Sequence, residues 1–593
     1  MIKNSFFYIS LMLLGVILFF NPNFETIAAG VAILLFGMIM LEEGFKVFTK
    51  GPLQNLLKKA TDKLYKSIGV GALVTAFVQS SSLVSVVAIS FISSGLISLG
   101  GGIGLIFGSN IGSTATAWLV AGFGLKIKIS ALAMPMLVFG IIFSLQKNAF
   151  LKGFGNVLAG LGFFFLGIYF MKEGFDVFRT HIDLTQFAVS GYLGVLLYTG
   201  IGIIITIVLQ SSAASLVLVL TALAAGQLEY ENALAITIGA NIGTTITAIL
   251  SSLSSNIAGK RLAGAHLIFN LVTGLLALAF IYPLANLVNT LSDVFGIGTT
   301  DYTLKLALFH SIFNIVGVLI MIPFMKKLER FLLRFFKEKE DKGIEVPKYL
   351  NESILKFPST VVSALSKESK YLYEHAVFEI VTHALNVHRV DIKSDLTAKD
   401  IIKKSKKNLN TDVRDLYYSK VKTIYGEIIR YATTAQSKLK MGENMNNRIS
   451  ELIIANRKMV EIIKAVRELG RNVSQYLESD NAYMQKEYDK FRKKIVNVLR
   501  VIYLFRTQDN KEGHFSELLK LRNEAKESKS QTTKSINTLI RKDLINAEMA
   551  SSLVNDKENL NEIIKNLISV AELLYGEQDS LLENGNVGEK ERL

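Results

Sequence analysis

The sequence predicts an all-α, polytopic membrane protein with two inverted repeats, each carrying a re-entrant hairpin, plus a cytoplasmic helical bundle. Three observations predict it: an abrupt change in charge density, a series of apolar runs of membrane-spanning length, and polar motifs duplicated at a fixed offset. Residues 1–325 hold 16 Lys/Arg and 11 Asp/Glu, about 8% charged, whereas residues 326–593 hold 49 and 39, about 33%. A soluble domain carries roughly a quarter charged residues, so the first part is too poor in charge for water and the second is not. The change falls at Pro323, just ahead of Lys326, Lys327, Glu329 and Arg330. Residues 1–325 are therefore expected to form the transmembrane domain, 326–354 a linker, 355–578 the bundle and 579–593 a polar, disordered tail.

Apolar runs able to cross about 30 Å of hydrocarbon fall at 5–20, 27–48, 103–121, 129–145, 156–176, 232–251, 262–288 and 302–324. The first follows Met1-Ile2-Lys3 like a signal peptide, but no small-residue cleavage site follows it, and it is read as a retained helix. Two further apolar regions, 69–94 and 198–225, are interrupted by Gln79-Ser80-Ser81-Ser82 and Gln210-Ser211-Ser212. Each flank has about 12 residues, roughly 18 Å of helix, which is too short to cross. Re-entrant hairpins whose tips meet in the bilayer middle are the expected structure.

The segments repeat. Gly30–Phe48 matches Gly160–Phe178, keeping Gly37/Gly167 and Glu43-Gly44-Phe45/Glu173-Gly174-Phe175. Beyond it, Thr75/Thr206, Gln79/Gln210, Gly95/Gly226 and Asn110/Asn241 all pair at an offset of 131. So many polar positions at one spacing indicate an internal duplication, with repeats at about 27–145 and 156–288 and extra helices at 5–20 and 302–324. A hairpin returns to the side it entered, so three crossings separate the two tips. An odd number inverts the second repeat, the pattern of secondary transporters with a site where the repeats meet. Lys46, Lys58, Lys59, Lys63, Lys147, Lys152, Lys260 and Arg261 then fall inside, against Lys126, Lys128, Lys172, Arg179 and Lys305 outside. That bias predicts a multi-pass plasma-membrane protein with both termini cytoplasmic.

Each hairpin tip starts a helix in the membrane, presenting unpaired N–H groups and a partial positive charge. The hydroxyls of Ser80, Ser81, Ser82, Ser211 and Ser212 and the amides of Gln79 and Gln210 suit an oxyanion there. The helices Gly108-Ser109-Asn110-Ile111-Gly112-Ser113-Thr114 and Gly239-Ala240-Asn241-Ile242-Gly243-Thr244-Thr245 carry glycines on both sides of Asn. Glycine weakens the helix there and frees carbonyls for a hard cation such as sodium, with Thr75, Thr206 and the Ser/Thr hydroxyls extending the oxygen set. The expected ion-binding residues are Thr75, Thr206, Asn110, Ser113, Thr114, Asn241, Thr244 and Thr245. His266–Asn270 and His310–Asn314 repeat one another and are expected to bond between helices. Glu43 and Glu173 are expected to anchor helix ends. No basic residue lies at the tips.

These paired motifs resemble the sodium–phosphate cotransporter family, whose animal branch is the type II cotransporters, over roughly residues 27–325. The resemblance implies that the two Gln-Ser-Ser hairpins hold phosphate and sodium, here at Gln79–Ser82 and Gln210–Ser212, in sodium-coupled symport by alternating access. The second tip departs from the pattern, since Ala213 replaces a third serine. A phosphate exporter, a carrier of another oxyanion, and a membrane phosphate sensor without flux remain open. No motif sets a nucleophile beside a base, so no enzyme is expected. Inorganic phosphate, sodium and the lipid bilayer are the expected partners, with no nucleic acid and a homodimer possible; sodium serves as coupling ion and no cofactor is expected.

The C-terminal part shows helical periodicity, as in Leu452, Ile453, Met459, Ile462, Ile463 and Val466. It resembles PhoU-like domains, which implies a regulatory or gating role; a stabilising bundle that helps dimerisation is the alternative. Glu-x-x-x-Asp is absent, so no transition metal is expected, and the lack of cysteine excludes disulfides and thiolate sites.

Overall fold

The computed structural model describes residues 12, 15–16, 18–49, 61–125, 129–179, 184–337, 344–406, 409, 412–439, 441–508 and 510–576. The expected first helix at 5–20 lies mostly outside the described residues, as do Lys58, Lys59, Lys126, Lys128 and the tail. The chain forms two compact units, Met1–Glu338 and Lys339–Leu593.

The first unit is all-helical. Seven of its described helices are long and apolar enough to cross a membrane: Phe24–Phe45, Leu99–Gly124, Ala149–Arg179, Gly191–Leu209, Tyr230–Leu253, Ile257–Ala279 and Tyr302–Phe335. Their composition leaves no route to solubility as an isolated layer, and the unit is a polytopic membrane protein. In order the elements are α1 (Pro22–Thr49), α2 (Leu64–Val78), α3 (Ser81–Ser93), α4 (Leu99–Gly112), α5 (Thr114–Leu119), α6 (Ile129–Ser144) and α7 (Ala149–Arg179). Then come α8 (Gly191–Leu209), α9 (Ser212–Ala224), α10 (Tyr230–Gly243), α11 (Thr245–Leu253), α12 (Ile257–Ala279), α13 (Ile281–Val294), α14 (Tyr302–Met321) and α15 (Met325–Phe335).

Glycine sets the closest packing. A Cβ on Gly30 would lie 2.9 Å from the Gly167 carbonyl, and one on Gly37 2.7 Å from that of Gly160. Gly30 and Gly37 are the sequence equivalents of Gly160 and Gly167, so the two matching helices α1 and α7 run antiparallel with their equivalent contacts exchanged. Likewise a Cβ on Gly108 would sit 2.0 Å from the Ile68 carbonyl, and one on Gly239 2.1 Å from that of Thr199. The α2/α4 and α8/α10 pairs are therefore built alike, each with backbones too close for any side chain.

Three expectations need correction. The run at 262–288 is not one helix: α12 ends at Ala279 and α13 starts at Ile281, because Pro283 cannot donate to Ala279 and its ring crowds that carbonyl. The arms preceding the tips exceed the expected 12 residues, with 15 in α2 and 19 in α8, so the second is long enough to span. The last membrane helix does not stop at residue 325. It turns through a short 3-10 segment at Ile322–Phe324 and continues as α15, whose Leu332 packs over Gly264 while Phe336 accepts hydrogen bonds from Arg261 at 2.7 and 3.1 Å.

The second unit contains α16 (Pro358–Leu372), α17 (Phe378–Ala384), α18 (Ala398–Lys404), α19 (Lys422–Lys438), α20 (Glu443–Leu477), α21 (Ala482–Thr507), α22 (Lys511–Arg541) and α23 (Ala547–Tyr575). The expected α20 stripe is buried at Leu452, Met459, Ile462, Ile463 and Val466, and Ile453 packs at its edge. Buried polar groups fasten the connections. Arg492 donates to the carbonyls of Leu385 at 2.8 Å and Ser405 at 2.6 Å, pinning the 385–405 segment to α21.

Candidate functional site

The two Gln-Ser-Ser segments meet. One cavity of about 280 Å³ is lined by Gln79, Ser80, Ser81 and Ser82 on one side and by Gln210, Ser211, Ser212 and Ala213 on the other. Ser113, Thr116 and Leu209 complete it, together with Leu35, Met38, Ile39 and Glu42 on one face of α1.

Each tip has the same local construction. Gln79 and Gln210 cap α2 and α8 with φ of 57° and 52°, a left-handed conformation unusual for a residue with a side chain. The chain then reverses into an extended Ser80 or Ser211, whose hydroxyl accepts from the N–H of Leu83 at 3.2 Å or Ala214 at 3.1 Å. These serines are N-caps. They satisfy one N–H of the new helix and leave the remaining first-turn N–H groups, with the hydroxyls of Ser81, Ser82 and Ser212, for a ligand.

The tips differ in how their side chains are held. Gln79 Oε1 accepts from Thr116 Oγ1 at 2.8 Å, and its amide nitrogen donates to the Ala76 carbonyl. Thr247, the equivalent of Thr116, instead donates to the Thr244 carbonyl at 2.8 Å and lies 3.3 Å from Ser82 Oγ, from which it can accept, joining the second repeat to the first tip. Ser211 Oγ points to Met38 Sδ at 3.9 Å.

The partner helices do not unwind at the glycines as expected: Ser113 and Thr244, the single residues between the paired helices, keep right-handed backbone angles, and their N–H groups donate to Ser109 O at 3.0 Å and Ala240 O at 3.1 Å. α4 gives way to α5 at Ser113 and α10 to α11 at Thr244. Hydroxyls take up the carbonyls at these junctions: Ser113 donates to Asn110 O, Thr114 to Ile111 O and Thr245 to Ile242 O, all at 2.8 Å. Of the expected ion-binding residues, Ser113 lines the cavity with the tips. Asn110 is buried behind it, bonded to Ile106 O at 2.9 Å, and Asn241 bonds Asn314 at 2.9 Å and His310 at 3.2 Å. Thr206 donates to Ser215 at 2.8 Å, whereas its equivalent Thr75 has a buried Oγ1 with no partner among the described residues, as does Thr244. Thr75 and Thr206 pack against Gly112 and Gly243, beside the two helix junctions.

Sequence reasoning missed Glu42, Met38, Leu35 and Ile39. They lie at i, i+3, i+4 and i+7 on α1, so an apolar stripe contained them, but nothing in a lone stripe says that it faces a cavity. Thr116 and Thr247 lie two residues beyond the quoted motifs, and their common offset of 131 was the available signal.

The fold and cavity define a class: an all-helical, polytopic membrane protein that buries hydroxyls, amides and helix N-termini in one small chamber. The family model described as Na+/Pi-cotransporter matches residues 33–173 and 194–330, and over those segments the chain is similar to that family. Among similar proteins, the "Putative inorganic phosphate export protein YjbB" of Salmonella typhimurium is 29% identical over 344 residues, 57% of this chain and 61% of that protein. The chain thus spans about three-fifths of that relative's length. The "Uncharacterized protein YqeW" of Bacillus subtilis is 29% identical over 307 residues, 51% of this chain and 95% of the relative. "Sodium-dependent phosphate transport protein 2C" of Mus musculus is 35% identical over 117 residues, 19% of this chain and 18% of the relative. No solved structure matches the chain.

Proposed function

We propose that this protein moves inorganic phosphate across the membrane by alternating access, coupled to sodium, with the anion held between the two Gln-Ser-Ser tips. The observation that carries the reading is the single cavity lined by both tips. Two helix N-termini and the hydroxyls of Ser80, Ser81, Ser82, Ser113, Ser211 and Ser212 converge there, without a lysine, arginine or histidine among the described residues of its wall. Such a site holds a dehydrated anion through neutral donors and partial charges, and releases it more readily than an arginine clamp would.

A chamber that holds a multiply charged anion without a basic side chain in its described wall is suited to cations that offset the charge. The buried hydroxyls of Thr75 and Thr244, unpartnered among the described residues and next to the helix junctions, fit hard-cation ligation. A tenfold sodium gradient contributes about 1.4 kcal/mol per ion. Two ions would therefore balance a hundredfold phosphate gradient, and three would outweigh it. The tips belong to re-entrant hairpins of inverted repeats in this reading, with cytoplasmic termini, and the antiparallel packing of α1 against its equivalent α7 supports the inversion. The second unit is taken as a cytoplasmic regulatory module of PhoU-like type that can also support a homodimer.

Net export is the second reading, favoured by the name of the Salmonella relative. Labelled phosphate flux in proteoliposomes tests both. Uptake should require sodium and collapse when potassium replaces it, with arsenate competing more strongly than sulfate. Saturable phosphate binding without flux would replace the carrier by a sensor, and sodium-independent flux would remove the coupling.

A further inference from the structure

A cavity of about 800 Å³ in the second unit lies between α21, α22, α23 and the start of α18. Nothing in the transport reading uses it. Lys490, Lys493, Lys494 and Asn497 enter its wall at i, i+3, i+4 and i+7 of α21, one continuous face of that helix. Thr397 and Lys399 stand in another part of the wall. Glu524 is the one acidic lining residue among the described residues.

Most of that positive charge is uncompensated. Lys490 is already paired with Glu487 at 2.6 Å, outside the lining. Lys399, Lys493 and Lys494 make no hydrogen bond or ion pair among the described residues. Partial desolvation holds the Lys494 ammonium below the ordinary lysine range; Glu524 opposes the shift and Lys490 adds to it. Lys399, Lys493 and Lys494 are exposed at the rim, and a recess walled by like charges raises the local concentration of anions. The floor is of another character: Val498, Leu521, Ala525 and Ile564 form an apolar base beneath the cationic rim. The volume lies within the range of small-molecule sites, and an apolar floor with a few converging polar groups is their usual composition.

We propose that this recess binds a small organic phosphate, a ring bearing two or more phosphate groups as in a nucleoside triphosphate. The phosphates sit among Lys399, Lys493 and Lys494, and the ring covers the apolar floor. Inorganic polyphosphate would satisfy the rim and leave the floor wet, so the ring distinguishes the two.

Calorimetric titration of ATP into the full-length protein in phosphatidylcholine nanodiscs tests the site, the neutral lipid removing headgroup anions as a source of charge. The expected result is saturable binding at one site per chain. Lys493→Glu/Lys494→Glu should weaken it by about tenfold or more, and so should Lys399→Glu, which alters a different wall. Thermal melting of both variants shows whether the fold is retained. Tripolyphosphate should bind at least about tenfold more weakly than ATP. Absence of saturable ATP binding, or unchanged affinity in folded Lys399→Glu, overturns the site. Tripolyphosphate binding as tightly as ATP overturns the ring component.

Discussion

At Gln79 and Gln210 the backbone takes a conformation that an L-residue with a side chain avoids, at a penalty of about 1 kcal/mol each. Glycine would hold the same turn without strain, so the side chain must contribute something glycine lacks. For Gln79 part of that contribution is visible: its side-chain oxygen accepts from Thr116 and its amide nitrogen donates to the Ala76 carbonyl, which ties the tip to the partner helix. Gln210→Gly is accordingly expected to leave the melting temperature unchanged or a few degrees higher while abolishing phosphate uptake. Retained uptake in that variant would remove the Gln210 amide from the site. The residue types at both tips were legible because polar side chains inside apolar runs stand out. Their left-handed backbone was not, because that conformation belongs to the reversal between two helices and glutamine has no preference for it.

Among the elements, the connection between the units shows how one carboxylate orders a strand of chain. Glu368 on α16 is fully buried and accepts from the backbone N–H groups of Lys348 at 3.1 Å and Tyr349 at 2.6 Å. Burial pushes its carboxyl up to about 6, with the Tyr349 and Lys348 N–H groups opposing the shift. A carboxyl raised on folding contributes stability in full below its unfolded value near 4.5, and loses it as pH rises through about 6. The stability difference between the wild type and Glu368→Gln, which cannot titrate, should therefore move against the wild type by about 2 kcal/mol between pH 4 and 7. Thermal melts of the full chain across that range measure it; a pH-independent difference would mean that Glu368 keeps an ordinary carboxyl. The expected linker, 326–354, shrank at its start because Leu328 and Leu332 of α15 are buried. Their spacing of four was readable, but the neighbouring Lys326, Lys327, Glu329 and Arg330 dominated the composition.

Over the whole membrane unit, alternating access requires one set of elements to move against another, and the Ser82–Thr247 contact spans the two repeats. The chain has no cysteine, so a Ser82→Cys/Thr247→Cys pair introduces a single possible disulfide on a clean background. The hydroxyl oxygens are 3.3 Å apart, close enough for the replaced side chains to bridge with modest adjustment. Oxidation should halt flux and dithiothreitol should restore it. Undiminished transport with the bridge formed, verified by mass spectrometry, would mean that these two segments travel together.

By itself the sequence determined the membrane class, the division between a charge-poor and a charge-rich part, and the two polar motifs with their partners 31 residues on. Hydropathy and fixed spacing are one-dimensional quantities, so one dimension suffices to read them. Tertiary structure decided that both tips enter one cavity, that Glu42 and Met38 share it, and that Asn241 answers to Asn314 and His310 while Thr75 keeps a hydroxyl unpartnered among the described residues. It also gathered Lys399 with Lys493 and Lys494, some ninety residues apart in the chain. Which groups converge depends on how helices pack, and packing is set by backbone approach and side-chain volume summed over neighbours distant in sequence.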